Sequence, residues 1–282
     1  MTIKALKEIF QDELAGIYPK EEALSFFYLL CEAYLNKSRI DIALTPILEI
    51  RPDMEASFLK ALEQLKIEFP IQYILGQTEF MDLVFEVNKQ VLIPRPETEE
   101  LISWILNASS KELNKTILDI GTGSGCIPIV LAKHLPESSI ETMDVSAKAL
   151  EVAEKNAIRN KVHIKLIHKD ILKVDALQNN YDIIVSNPPY VRESEKKLMQ
   201  NNVLKYEPDL ALYVSDSDPL IFYKQISKLA AKGLKSNGYL YFEINQYLGA
   251  DICELLTSMG FKNIELKKDI YGVDRMIRAV KI

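Results

Sequence analysis

The most constraining feature of this chain is the nine-residue run Ile117-Leu118-Asp119-Ile120-Gly121-Thr122-Gly123-Ser124-Gly125. An apolar stretch fit for a buried strand passes through three closely spaced glycines into a helical pattern continued by Ile127, Val130 and Leu131. Glycines supply the φ values of a tight turn and remove the Cβ atoms that would hold the backbone away from a ligand. The N–H groups freed at the start of the helix favour a carboxylate or a phosphate. From this point strand and helix alternate. TILDIG, SIETMDV, HIKLIHKD, YDIIVSNPPY and GYLYFEI are rich in strand formers, with helix-length segments such as Ala147 to Arg159 and Pro219 to Lys232 between them. That alternation predicts an α/β fold with a parallel, doubly wound sheet.

The residues before the alternating region are different in kind. Met54, Phe58, Leu62 and Leu65 share one helix face, as do Leu6, Phe10 and Leu14. Turn-like residues at Gly16 to Lys20, Asn36 to Ser38 and Arg51-Pro52-Asp53 divide residues 1–70 into short helices, and no catalytic constellation lies among them. The expectation is a small helical bundle that docks a substrate, with a purely stabilising cap as the alternative. Residues 71–95 change character again, with Leu83, Phe85 and Val87 alternating and Val91-Leu92-Ile93 following, which suggests a β-hairpin linker. Pro96 then opens a helix whose first turn carries Glu97, Glu99 and Glu100, a favourable placement for the helix dipole. Residues 96–282 are expected to form the ligand-binding domain.

The glycine spacing discriminates between ligands. A dinucleotide site reads G-x-G-x-x-G, and here the third glycine comes one residue early. The loop is similar instead to that of Rossmann-like S-adenosyl-L-methionine (SAM) methyltransferases, which implies that Asp119, Gly121, Thr122, Gly123, Ser124 and Gly125 cradle SAM. Asp144 ends the next strand about 20 residues on, where a carboxylate can accept hydrogen bonds from both ribose hydroxyls. Asp170 closes the third strand and can take the adenine amino group or serve as an N-cap for the residues after it. Ile171 beside it can pack on the adenine face.

Asn187-Pro188-Pro189-Tyr190 follows the strand YDIIVS, at the sheet edge where open α/β proteins hold their ligands. Two prolines fix φ and remove two backbone donors, so the exposed groups are acceptors: the Asn187 side-chain oxygen and the Pro188 carbonyl. Such a loop suits an NH2 group. Two acceptors can hold its hydrogens and turn its lone pair toward an electrophilic methyl, while Tyr190 stacks on the planar group.

With these residues the chain resembles the bacterial peptide chain release factor glutamine methyltransferases, the HemK/PrmC family, over nearly its whole length. The matching stretches are Tyr73-Ile74-Leu75-Gly76 with Glu79-Phe80, Ile93-Pro94-Arg95-Pro96-Glu97-Thr98-Glu99, Asp119 to Gly125 and Ser186 to Tyr190. Tyr206-Glu207-Pro208 with Ala211-Leu212, Glu243-Ile244, and Asp269 with Gly272, Asp274 and Arg275 continue the match to the C-terminus. The resemblance implies methyl transfer from SAM, with S-adenosyl-L-homocysteine as product, to the glutamine amide nitrogen (N5) of the Gly-Gly-Gln motif in class 1 release factors. The residues implied at that site are Asn187, Pro188, Pro189 and Tyr190 for the amide and Asn187 beside the cofactor, with Phe80, Pro94, Arg95 and Thr98 at the border. The chain departs from the family pattern at Asn245, where a glycine is common after Glu-Ile, and in Asp269-Ile270-Tyr271-Gly272-Val273-Asp274-Arg275. Related readings are a glutamine methyltransferase for a ribosomal protein and an adenine N6 DNA methyltransferase.

Charge and cysteine content narrow the choice. Lys plus Arg total 34 against 40 Asp plus Glu, a net charge of -6, which disfavours direct contact with nucleic acid. Cys31, Cys126 and Cys253 form no CxxC pair, so neither a disulfide framework nor a zinc site is indicated, and His134, His163 and His168 read as structural or surface residues. The run from Ala23 to Leu35 contains Ser25 and Glu32 and falls short of the roughly 20 residues of a membrane span. A cytoplasmic, metal-free monomer is expected.

Overall fold

The computed structural model describes residues 1–109 and 114–282, which divide into two compact units: Met1–Gly76 with Gln200–Tyr206, and Gln77–Met199 with Glu207–Ile282. The first unit is built from α1 (Ile3–Glu13), α2 (Lys20–Leu35), α3 (Arg39–Leu44), α4 (Pro52–Lys66) and α5 (Ile71–Leu75). Local chemistry sets their ends. Thr2 accepts the Ala5 N–H at the start of α1, Ser38 and Asp41 form a reciprocal cap on α3, and Pro52 occupies the first turn of α4, where no amide donor is required. Phe10, Phe27 and Phe58 meet at the centre, with ring centroids 5.5–6.3 Å apart, among Leu6, Leu30 and Leu65.

The second unit begins with the hairpin of β1 (Gln77–Phe80) and β2 (Leu83–Glu86), turned by Met81 and Asp82 at positive φ. The hairpin therefore lies earlier than the sequence suggested. Val91 and Ile93 are buried but belong to no strand, and the Ile93 N–H donates to a Glu207 carboxylate oxygen at 3.1 Å instead of to a ladder. The chain continues through α6 (Pro96–Ser109), β3 (Thr116–Ile120), α7 (Cys126–His134), β4 (Ser139–Asp144), α8 (Ala147–Asn160), β5 (Lys165–His168), β6 (Tyr181–Ser186) and the short β7 (Val191–Arg192). It enters the helical unit at α9 (Asn201–Tyr206), where Lys205 and Asn201 bond Glu68 and Tyr206 packs edge-on against Phe69. It then runs through α10 (Asp209–Leu212), β8 (Tyr213–Val214), α11 (Ile221–Gly233), β9 (Leu234–Glu243), α12 (Gly249–Ser258), β10 (Lys262–Lys268) and β11 (Asp274–Val280).

The main sheet has seven strands in the order β10-β11-β9-β6-β3-β4-β5. Its five-strand parallel portion matches the five strands read from the sequence. Beyond β9 the sheet is extended by β10 and β11, which pair antiparallel. Side chains alternate across the sheet: Ile117, Ile183, Val185 and Tyr241 pack with α6 and α7, whereas Leu118, Ile184, Leu240 and Phe242 pack with α11 and α12. Both faces are thus covered, which is why the central strands read as continuous apolar runs.

Candidate active site

Strand order reverses between β3 and β6, and at the carboxyl ends of the parallel strands opens a cavity of about 470 Å³, a size suited to a small-molecule cofactor. Gly121, Gly123 and Gly125 all lie at positive φ (89°, 52° and 83°), so the turn from β3 into α7 depends on glycine. The loop is pinned where Gly121 N donates to Met143 O at 2.8 Å and Gly125 N to Thr122 O at 2.8 Å. Gly125 answers a second need, because a Cβ there would meet Ile129 Cδ1 at 2.9 Å and Ala153 Cβ at 3.1 Å.

The Asp144 carboxylate faces the same cavity and is aimed by the backbone: Gly123 N donates to Oδ2 at 2.9 Å and Ser146 N to Oδ1 at 2.8 Å. Each oxygen keeps a further lone pair for a ligand hydroxyl. Asp170 and Ile171 line the cavity as well, and Asp170 also caps the following turn through Leu172 N at 3.0 Å. The two readings of Asp170 are therefore compatible. Its carboxyl is held below the usual range, first by the hydrogen bond from Lys173.

Asp119 is placed differently from its loop neighbours. It is fully buried, and its Oδ2 accepts Thr142 Oγ1 at 2.6 Å, while Thr142 shares a 2.6 Å hydrogen bond with Thr122. Oδ1 has no partner among the described residues, and burial pushes the carboxyl up to about 7. Asp119 stands behind the loop and is absent from the cavity lining, unlike Thr122 and Ser124. The thiol of Cys126 is pushed up to about 12 by burial, which leaves it protonated and a poor nucleophile.

Asn187, Pro188 and Pro189 extend the cavity wall from the end of β6, and Pro94, Arg95 and Thr98 face it. The Asn187 Nδ2 meets Thr98 Oγ1 at 3.4 Å, and Thr98 in turn donates to Glu243 Oε2 at 2.6 Å. Tyr190 does not line the cavity; its hydroxyl donates to Glu243 Oε1 at 3.2 Å, and burial raises its pKa. Phe80 is likewise in the core, edge-on to Phe85 at 6.0 Å, and not on the cavity wall.

Three further residues hold the site and were not assigned a role from the sequence. Glu243, buried at the end of β9, gathers Thr98 and Tyr190, and burial raises its carboxyl pKa. Glu207 binds Arg95 at 2.6 Å besides the Ile93 amide. Asn156, fully buried, bonds Glu86 through both its side-chain atoms and Ser124 O at 2.9 Å, joining the hairpin to the glycine loop. An acid inside the apolar run GYLYFEI was a signal for Glu243; Asn156, on an ordinary helix pattern, offered none.

The chain matches the family models described as methyltransferase small domain, over residues 98–207, and PrmC N-terminal domain, over residues 6–76. It is 53% identical over 282 residues to the release factor glutamine methyltransferase of Flavobacterium psychrophilum, covering 99% of each chain. It is 40% identical over 270 residues to that of Bacteroides thetaiotaomicron, covering 95% of this chain and 96% of the other. A methyltransferase from Pyrococcus furiosus has the same fold at 16% identity, with a TM-score of 0.53 over 82% of this chain and 99% of that one. A Rossmann-like methyltransferase sheet, an N-terminal module of the matching kind and identity along nearly the whole length place the chain in the release factor glutamine methyltransferase family.

Proposed function

We propose that this chain transfers a methyl group from SAM to the side-chain amide nitrogen, N5, of the glutamine in the Gly-Gly-Gln motif of class 1 release factors. The observation that carries the reading is the adjacency of two built surfaces in one cavity. One is a glycine cradle with an aimed carboxylate at Asp144, and the other is a proline-stiffened acceptor loop at Asn187-Pro188-Pro189. The names of the relatives supply the substrate class.

The residues fit the cofactor. Gly121 to Gly125 would approach its amino-acid end, Asp144 its ribose hydroxyls, and Asp170 with Ile171 its adenine. When bound, SAM supplies a sulfonium methyl that a nitrogen lone pair can take. The Asn187 oxygen and the Pro188 carbonyl accept the two amide hydrogens of the glutamine and hold its nitrogen in place, and the surplus proton leaves to solvent once the new N–C bond exists. Among the described residues lining the cavity there is no buried carboxylate or histidine beside these acceptors, which suits catalysis by positioning, worth up to about 7–11 kcal/mol in favourable cases. Tyr190 would contribute by fixing the loop through Glu243 and not by direct stacking. The helical unit would dock the protein substrate. Its core residues are satisfied among themselves and none of them lines the cavity.

Incubation with labelled SAM and separate samples of release factor, ribosomal proteins and duplex DNA tests the assignment. Label in the release factor alone is expected; label in ribosomal protein or DNA without label in release factor would replace the reading by one of its two alternatives.

A further inference from the structure

Resting on that reading, we propose that Thr98 and Glu243 are positioning residues that make the acceptor loop select a carboxamide over a carboxylate, by fixing which way the Asn187 side chain is turned. A free asparagine amide presents its oxygen and its nitrogen about equally well. An outward oxygen accepts from a glutamine NH2; an outward nitrogen would instead donate to a glutamate carboxylate.

The fold removes that freedom. β6 and β9 are parallel neighbours with Ser186 opposite Phe242, so the residues that follow, Asn187 just past the end of β6 and Glu243 at the end of β9, come side by side. Thr98, in the first turn of α6, lies between them, and Thr98 and Glu243 are only 2% and 1% exposed. A threonine hydroxyl has one hydrogen. Glu243 Oε2 takes it at 2.6 Å, and Tyr190 donates to the other oxygen, so both carboxylate oxygens act as acceptors. What Thr98 has left for Asn187 is a lone pair, and only the asparagine NH2 can bond to it, as it does at 3.4 Å. The direction of the chain, NH2 to hydroxyl to carboxylate, therefore turns Oδ1 of Asn187 away from Thr98 and leaves it as the free end for substrate. The acid sets the polarity without touching the substrate.

The test compares the release factor with a variant carrying Gly-Gly-Glu in place of Gly-Gly-Gln, the second used as a competitive inhibitor. Contacts made elsewhere on the protein are common to both, so the ratio of the inhibition constant to KM isolates the discrimination between side chains. Thr98→Val keeps shape and removes the hydroxyl; it is expected to bind SAM as the parent does in calorimetry but to lose discrimination by about tenfold, the equivalent of one charge-assisted hydrogen bond. Glu243→Met frees the Thr98 hydrogen to bond Asn187 Oδ1 and is expected to lose at least as much, whereas Thr98→Ser is expected to restore the parent ratio. An unchanged ratio in Thr98→Val, whether or not kcat falls, overturns the inference, since a purely structural role would lower turnover without altering selectivity. A parent chain that methylates no release factor would remove the functional reading and this inference together.

Discussion

Replacing Gly125 by alanine should cost the sheet unit more than the same change at Gly123, and the difference follows from two separable effects. Both residues have positive φ, 83° and 52°, so an added Cβ brings the left-handed penalty of about 1–2 kcal/mol to either site. At Gly123 nothing lies within 4 Å of the new atom. At Gly125 it would meet Ile129 Cδ1 at 2.9 Å, which a rotamer change could relieve in part, and Ala153 Cβ and Cα at 3.1 and 3.3 Å, which only a shift of α8 could relieve. Overpacking of that kind adds about 1–3 kcal/mol. With each kcal/mol worth about 2–4 °C in a unit of this size, Gly123→Ala should lower Tm by roughly 5 °C and Gly125→Ala by roughly 10 °C. The single tryptophan, Trp104, packs on Tyr241 at 5.6 Å within the sheet unit, so its fluorescence on heating reports that unit. Equal Tm values for the two variants would refute the packing argument while leaving the φ argument intact.

Three other outcomes follow from the site. Asn187→Ala removes an acceptor at the reacting centre and should leave SAM affinity within about threefold while turnover falls on the order of 100-fold, as expected for loss of a positioned polar group; calorimetry and single-turnover assays separate the two. Asp144→Ala should weaken SAM binding by about 10- to 100-fold, because it removes a charged acceptor that Gly123 N and Ser146 N hold in place. Asp119 has a folded-state pKa raised by burial from 3.8 to about 7, so the folded chain binds more protons than the unfolded one between those values. Its contribution to stability is full below about pH 4 and is lost as pH rises through about 7. Denaturant titrations across that window should show this loss in the parent, and Asp119→Asn should lack it; identical pH slopes would contradict the assignment.

The parts of the fold legible in the sequence were those governed by local patterns. Continuous apolar runs such as ILDI and DIIVS marked the central strands because both faces of the sheet are covered, and Pro96 marked the start of α6. The C-terminal strands were harder to read: β10 alternates few apolar side chains and is largely exposed, so KNIELKK gives little strand signal. The sequence pattern points to a later hairpin because Val91-Leu92-Ile93 is apolar for another reason: it is irregular chain with Val91 and Ile93 buried, and the Ile93 amide is satisfied by Glu207, 114 residues away in sequence. The glycine cradle and the acceptor loop could be read as sites because each is one contiguous segment. The support beneath them could not: Thr98, the Asn187–Tyr190 loop and Glu243 come from three separate segments, and it takes the pairing of β6 with β9 and the packing of α6 on β9 to bring them together. Tyr190 as a substrate contact and Phe80 at the site border are readings of contiguous motifs, and neither residue is among those lining the cavity.

In the proposed reaction the acceptor loop presents a glutamine amide to SAM. Tandem mass spectrometry of the release factor after incubation with the chain and SAM tests it most directly, by locating the methyl group to an atom. One methyl on the side-chain nitrogen of the Gly-Gly-Gln glutamine, absent when Asn187→Ala replaces the parent, is the predicted result; a methyl on any other residue, or on that glutamine irrespective of Asn187, would contradict the account.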